Sequence, residues 1–425
     1  MKTSKKKFYY GWFIVASGFI ILFCYAGSGF YSFGVFIKPL ENEFGWSRSA
    51  IALTISIYLL TNGLASPFIG RFVQSIGTKR VMLIGASGAG LCFVLISFIH
   101  NILCLYILYA FLAVHLVGMG YIPVSTIIAG WFERNRGTAT GLAYMGLAAG
   151  GFIYAPLIGH INVTYGWRIS FVFLGILIWV VAIPLSIFII REKTDNDLVS
   201  PKELPLGKNT KNSVKYEIKN ASFICYKGSI AFKDALLTSS FWGIVITFFL
   251  GAMAQMAVLQ HQVAIMAEKE IPYGLAATAL GLTSGMGGIG KLCFGKMADL
   301  FPIRWVVTSC YLLQCLGILI LLNVGNNITV WAYSIIFGFG MGGVIVLQPL
   351  AVGQFFGLKS FSILLGVISL GQSCGAAIGA YSAGLIYDHF NQYDHALKIF
   401  LIIYSLAMIS ILIAGKPMTK RCLND

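Results

Sequence analysis

The stretch that decides the fold runs Gly70-Arg71-Phe72-Val73-Gln74-Ser75-Ile76-Gly77-Thr78-Lys79-Arg80. It separates two apolar runs of about 20 residues, long enough to cross a bilayer. Its opening returns 225 residues later as Gly295-Lys296-Met297-Ala298-Asp299. The same offset carries Gly141, Gly146, Gly150 and Gly159 onto Gly366, Gly371, Gly375 and Gly384. Trp131-Phe132 are echoed by Phe355-Phe356, and Gly118-Met119-Gly120 by Gly340-Met341-Gly342. With 48 glycines in 425 residues a single match means little, but a set held in register implies two copies of one unit.

Composition fixes the environment. Apolar residues make up 58% of the chain and charged residues 11%, with a mean hydropathy of +0.82. A soluble chain would carry about 25% charged residues. The uncharged run 8–37 follows Lys5-Lys6-Lys7; it is too long for a signal peptide and lacks a small-residue cleavage site, so it reads as an uncleaved first helix. Further spans fall at 48–71, 80–100, 103–131, 138–161, 168–190, 240–266, 274–298, 304–323, 328–354, 361–387 and 396–415. The expectation is an all-α membrane protein of twelve transmembrane helices in two six-helix pseudo-repeats. Its parts are an N-terminal half at 1–191, a central loop at 192–238 marked by Pro201 and Pro205, and a C-terminal half at 239–425. Parallel repeats of this kind occur in secondary transporters.

A net charge of +15 does not indicate nucleic acid here, because the basic residues sit in short clusters between spans instead of forming a stripe. Their partner is the anionic face of a lipid bilayer. The nine cysteines show no C-x-x-C and no ligand spacing, so neither a metal site nor a structural disulfide is expected. There is no phosphate-cradling loop and no catalytic arrangement, which points away from an enzyme and from any cofactor. With both termini inside, 24 of the 30 Lys and Arg residues lie in cytoplasmic segments and five outside, with Lys291 within a span. That bias predicts a multi-pass protein of the plasma or inner membrane with cytoplasmic termini.

The 70–80 stretch and its echo resemble the loop signature G-x-x-x-D-[RK]-x-G-x-[RK]-[RK] of the major facilitator superfamily. Gly70, Gln74, Gly77 and Arg80 match the first copy, with Gln74 where the acid belongs; Gly295 and Asp299 match the second, acid included. Glycine lets helix ends approach, and an acid can cap a neighbouring helix terminus on the closed side. Tyr10-Gly11-Trp12, the run 32–38 followed by Phe44-Gly45-Trp46-Ser47-Arg48, the run 131–141 and Gly166-Trp167-Arg168 are similar to the monocarboxylate transporter and oxalate/formate exchanger branch.

All 15 acids fall in loops or at helix ends, which leaves Lys291, His115 and His261 as the embedded ionisable groups. A Lys at the bilayer centre costs about 3 kcal/mol on insertion scales. Ser284, Gly287 and Gly288 leave room beside Lys291. A substrate carboxylate about 4 Å away would be attracted by about 4 kcal/mol before desolvation. The alternative is a Lys that snorkels toward Asp299, about 12 Å along the helix. The resemblance implies the first role, since the branch carries a carboxylate-binding Arg at this position, with an acid or amide one turn before; here these are Lys291 and Gly287. It also implies coupling of proton and substrate at Lys38, which otherwise reads as an interfacial Lys before Pro39, and substrate contact for Tyr121, which otherwise reads as packing. His115 is a packing residue or a proton site. Gln255, His261 and Gln262 make the outer half of their helix polar, and Tyr25, Ser28, Tyr31 and Ser32 form a small polar stretch with Gly27 and Gly29 in the first helix; both stretches read as cavity lining, with Gln255, Ser28 and Tyr31 as candidate substrate contacts. Tyr333 and Tyr381 are further candidates.

These features converge on alternating access for a small organic anion, by exchange or by proton symport through Lys38, Lys291 or His115. A monomer is the expected functional unit. Export of a neutral or cationic compound, or a transport-inactive sensor, are the competing readings; the first lacks its embedded acid and the second lacks a recognisable sensory domain. The charge bias gives a direct prediction. A reporter fused after Asp425 or inserted near Asn209 resides in the cytoplasm, and labelling of either site from outside intact cells would overturn the topology.

Overall fold

Single glycines and short polar turns cut the chain into long helices in the computed structural model, which describes residues 9–193 and 230–415. The first half comprises α1 (Gly11–Phe44), α2 (Arg48–Ile76), α3 (Thr78–Ile96), α4 (Ile102–Trp131), α5 (Arg136–Tyr165) and α6 (Trp167–Phe188). A short helix, Phe232–Leu236, precedes α7 (Ser239–Glu268). The second half continues with α8 (Tyr273–Leu300), α9 (Ile303–Leu322), α10 (Asn327–Phe356), α11 (Phe361–Phe390) and α12 (Tyr393–Ile413). Most of the expected central loop lies outside the described residues. Eleven of the twelve are apolar enough to qualify as spans by composition. The exception is α8, which carries seven glycines, Lys291, Lys296 and Asp299. It is long enough to cross, and its low hydropathy marks it as a helix that packs on protein.

Three boundaries differ from expectation. The first helix does not stop at Ile37 but runs to Phe44, with Lys38 and Pro39 inside it. Proline removes the N–H that would bond Val35, and the Asn162 side chain donates to that carbonyl instead, at 3.3 Å. The stretch 70–80 is barely a loop: Gly70 and Gln74 are on α2, Arg80 is in the first turn of α3, and only Gly77, at φ +88°, lies between. Gly295 and Asp299 likewise sit on α8. Two helices are also interrupted. α1 contains a π turn at Gly27–Tyr31, and α4 breaks at Gly120.

The recurring glycines sit at recurring crossings. In the first half a Cβ on Gly150 would run into the Phe23 carbonyl of α1; in the second, a Cβ on Gly375 would run into the Phe249 carbonyl of α7. Close backbone approach of this kind drives helix association where lipid offers no hydrophobic gain. The outermost pair of the repeat, Gly141 and Gly366, serves the contact between halves: Gly141 packs on Lys291 and Leu292 of α8, and Gly366 on Ser66 and Pro67 of α2. The halves therefore meet along α5–α8 and α2–α11, on the face that carries Gly77. Along α8 the contact with α5 runs from Gly295 on Gly137, through Leu292 on Gly141, to Gly288 on Ala148. One turn further, Gly285 and Gly281 face open space. The halves thus close on the Gly77 face and part toward the opposite one.

These contacts predict a split in the effects of glycine substitutions. Gly375→Leu overpacks α7 against α11 by about 1–3 kcal/mol and lowers the thermal midpoint in detergent. Gly34→Leu, where nothing lies within 4 Å, leaves it within a degree or two of wild type. Equal midpoints for the two variants would contradict the packing described.

Candidate functional site

Lys291 lies at the apex of the cleft. Its backbone carbonyl packs on Gly141, at the last turns where the halves still touch, and its side chain is buried. Nζ reaches back one turn, toward the opening, and donates to the Gly287 carbonyl at 3.3 Å. Side chains on a helix lean toward its N-terminus, which here is the open end of α8. Among the described residues no carboxylate lies within 4 Å of this ammonium. Asp299, the acid toward which it could have snorkelled, is engaged elsewhere. The room expected beside Lys291 is only partly there. Gly287 is filled by Met341 and Gly338 of α10, and Gly288 by Ala148 of α5, whereas Ser284 is exposed.

The Gly77 face is closed by two unequal latches. At the first, Asp299 Oδ1 accepts from the Gly137 amide at 2.6 Å, and Oδ2 accepts from the Thr138 amide at 2.7 Å and its hydroxyl at 2.6 Å. A carboxylate of the second half thereby caps the N-terminus of α5 in the first, where free N–H groups and the helix dipole favour an anion. At the repeat-related position Gln74 Nε2 donates to the Lys359 carbonyl at 2.7 Å, one neutral bond in an exposed setting. Thr126 and Ser362 hydroxyls pair nearby at 3.0 Å across the same seam. Gly70 packs on the Ser362 carbonyl there, and Gly77 gives the turn its positive φ. Arg80 is exposed and takes no part in either latch.

Around Ser66, the repeat-related counterpart of Lys291, the first half gathers phenols and small polar groups. Tyr121 pairs with the Ser66 hydroxyl at 3.3 Å, and its ring stands edge-on to Tyr25 at 6.3 Å. Asn62 Nδ2 donates to the Tyr25 hydroxyl at 3.3 Å. Tyr144, one turn from Gly141 on α5, pairs with Ser125 at 2.5 Å. Sequence reasoning singled out Tyr121 and Tyr25 but missed Tyr58, Asn62, Ser66 and Tyr144. The signal was available for Ser66, which stands 225 residues before Lys291.

Other candidates are placed apart. The His115 ring fills the space over Gly88 of α3, inside the first half. Ser28 donates to the carbonyl of Cys24, four residues back in its own helix, at 2.6 Å. The side chain of Tyr31 lies outside the described residues. Lys38 is exposed near the end of α1, far along the helix from the seam. Gln262 is buried within the second half, accepting from Tyr333 at 3.0 Å and from Thr283 at 3.4 Å, and His261 bridges the Tyr393 hydroxyl and the Ala380 carbonyl. Neither lines the cleft. Gln255 differs, with a buried Oε1 that has no hydrogen-bond partner among the described residues. Seven residues back along α7 and seven forward along antiparallel α8 lead from the Gln262–Thr283 pair to Gln255 and Gly290, the level of Lys291. Tyr381 is exposed.

Residues 18–299 and 261–421 match the family model of the Major Facilitator Superfamily. The chain is similar over 417 residues, at 23% identity, to an uncharacterized MFS-type transporter, YcxA, of Bacillus subtilis, covering 96% of this chain and 95% of that one. It is 25% identical to monocarboxylate transporter 2 of Mesocricetus auratus over 91% of this chain and 80% of the relative. Monocarboxylate transporter 3 of Rattus norvegicus is also 25% identical, over 98% and 82%. A solved Major Facilitator Superfamily transporter, FucP, in the outward conformation, shares the fold with a TM-score of 0.70 at 13% identity, over 95% of this chain and 98% of that one.

The latch geometry gives a measurable asymmetry. Hydrogen bonds to charged groups are worth about 1.5–3 kcal/mol and neutral ones about 0.5–1.5 kcal/mol. In a background without native cysteines, Asp299→Ala raises thiol labelling of Thr126→Cys, which lies in the seam, by about ten-fold. Gln74→Ala raises it only a few-fold. Labelling that responds more to Gln74 than to Asp299 would contradict the ranking.

Proposed function

The chain belongs to the Major Facilitator Superfamily, and on that premise we propose that it is a secondary active transporter of a small organic anion, with Lys291 as the anion-binding cation. One observation carries the reading. A buried ammonium at the apex of the cleft has a single backbone carbonyl at 3.3 Å and, among the described residues, no carboxylate. Leaving a cation unpaired in a low-dielectric interior is costly, and a ligand that brings the counter-charge recovers part of that cost. The printed names of the monocarboxylate transporter relatives support the same class of ligand.

The proposed cycle follows from the two latches and the cleft. A carboxylate enters from the open face, meets Lys291 where α5 and α8 cross, and occupies the gap between halves. Closing the open face around it requires the Asp299 cap and the Gln74 bond on the Gly77 face to release, and the halves then rock about the midplane. The charge bias of the sequence puts the Gly77 face in the cytoplasm. We favour exchange of one anion for another, because the return step then never carries Lys291 unpaired through the closed state. Symport would ask Lys38, Lys291 or His115 to carry a proton; Lys38 is exposed near the end of α1, and the His115 ring is packed over Gly88 within the first half.

Two measurements test this. In proteoliposomes given a panel of small mono- and dicarboxylates, Lys291→Gln lowers uptake of the transported anion at least 100-fold without loss of folded protein, and Lys291→Arg restores part of it. Near-normal uptake by Lys291→Gln would overturn the assignment. Vesicles loaded with internal anion take up external anion, whereas empty vesicles do not, even under a pH gradient of about two units. Accumulation into empty vesicles that is lost in Lys38→Ala would establish symport instead.

A further inference from the structure

The repeat relates two faces that the overall architecture brings to the midplane. On α2, Tyr58, Asn62, Ser66 and Gly70 follow one another at four-residue spacing, and 225 residues on stand Thr283, Gly287, Lys291 and Gly295 of α8. Four-residue spacing keeps each set on one face of its helix. The two glycines occupy equivalent crossings, Gly70 against Ser362 and Gly295 against Gly137. Ser66 therefore holds in the first half the place that Lys291 holds in the second, and Asn62 stands where the second half has Gly287. In the second half that place is taken by α10, since Met341 and Gly338 close over Gly287, so no polar side chain fits one turn before the cation. The amide is on the other half.

Asn62 is buried and Ser66 fully so. The Ser66 hydroxyl donates to the Asn62 carbonyl at 2.8 Å and meets Tyr121 at 3.3 Å, which ties the two α2 residues to α4. Asn62 Nδ2 donates to the Tyr25 hydroxyl at 3.3 Å. The Tyr58 hydroxyl hydrogen-bonds with both Tyr25 and Asn62; because the Tyr25 oxygen accepts from the Asn62 amide, it keeps its own hydrogen, which an arriving carboxylate can draw away from Tyr58. Gly63, next to Asn62, packs on Ser373 of α11, so this cluster sits on the seam between halves as Lys291 does.

We propose that Asn62 is a positioning residue of the anion site: by donating to the Tyr25 oxygen it aims the Tyr25 O–H at the carboxylate whose charge Lys291 neutralises. The inference rests on the anion-transport reading. It makes the site asymmetric, with the charge supplied by the second half and the directed neutral donor by the first. Because both contacts form only when the ligand bridges the seam, Asn62 bears on how tightly an anion is held and little on how fast the loaded carrier turns.

A double-mutant cycle in proteoliposomes tests it, using the full chain and a panel of formate, acetate, pyruvate, lactate and oxalate as probes. Asn62→Leu and Tyr25→Phe each raise KM for the transported probe about ten-fold, equivalent to about 1.4 kcal/mol, with maximal rate held within about two-fold. The double variant matches either single one, because residues acting through one contact are not additive. Asn62→Gln, which keeps the amide, recovers part of the affinity, and thermal midpoints report that all variants are folded. Wild-type KM in Asn62→Leu, a multiplied effect in the double variant, or a loss of maximal rate at unchanged KM would each overturn the role of Asn62 while leaving anion transport intact. Failure of the wild-type protein to take up any probe would instead remove the anion reading, and this inference with it.

Discussion

An ammonium group with no counter-charge among the described residues organises this molecule. Lys291 is buried where two helices of different halves cross, and among the described residues its ammonium hydrogen-bonds to the carbonyl of Gly287 alone. In a soluble protein such a group would draw in water or an acid. Here Asp299, eight residues on in the same helix, is fixed on the N-terminus of α5. The electrostatic need is left for something that comes and goes, which is the condition a carrier has to satisfy. A permanently paired Lys would bind no anion, and a solvated one would bind it weakly.

The rest of the architecture holds that group where α5 of one half crosses α8 of the other. Glycine makes this possible twice over. Within each half, Gly150 and Gly375 let α1 and α7 press backbone to backbone on their partners. Between halves, Gly137, Gly141, Gly295 and Gly366 give a seam of backbone against backbone with few side chains to disentangle. Such a seam can open without repacking a core, so the Asp299 cap and the weaker Gln74 bond can govern its opening. The inequality of the two latches implies that the seam gives way first along α2–α11.

Much of this was legible in the sequence. The duplication, the twelve spans, the roles of repeated glycines in close approach and the capping capacity of Asp299 all follow from spacing and residue chemistry. What was not legible depended on tertiary partners. Gly287 read as space for a ligand, but a missing side chain is equally an invitation to a neighbouring helix, and α10 takes it. Gln262 and His261 read as cleft-lining polar groups; each found partners inside the second half. Lys38 and Pro39 read as the end of the first helix, because nothing local reveals that Asn162, more than 120 residues away, would satisfy the carbonyl that proline leaves free. Asn62 and Ser66 went unnoticed because such residues are ordinary in membrane helices, although the 225-residue offset that maps Gly70 onto Gly295 also maps Ser66 onto Lys291.

The most direct test of the central claim is an experimental structure of the protein with a transported carboxylate bound. The account predicts a carboxylate oxygen within salt-bridge distance of Lys291 Nζ, with the Gly287 carbonyl released or shared. A carboxylate bound elsewhere in the cleft, with Nζ still donating to Gly287 alone, would contradict it.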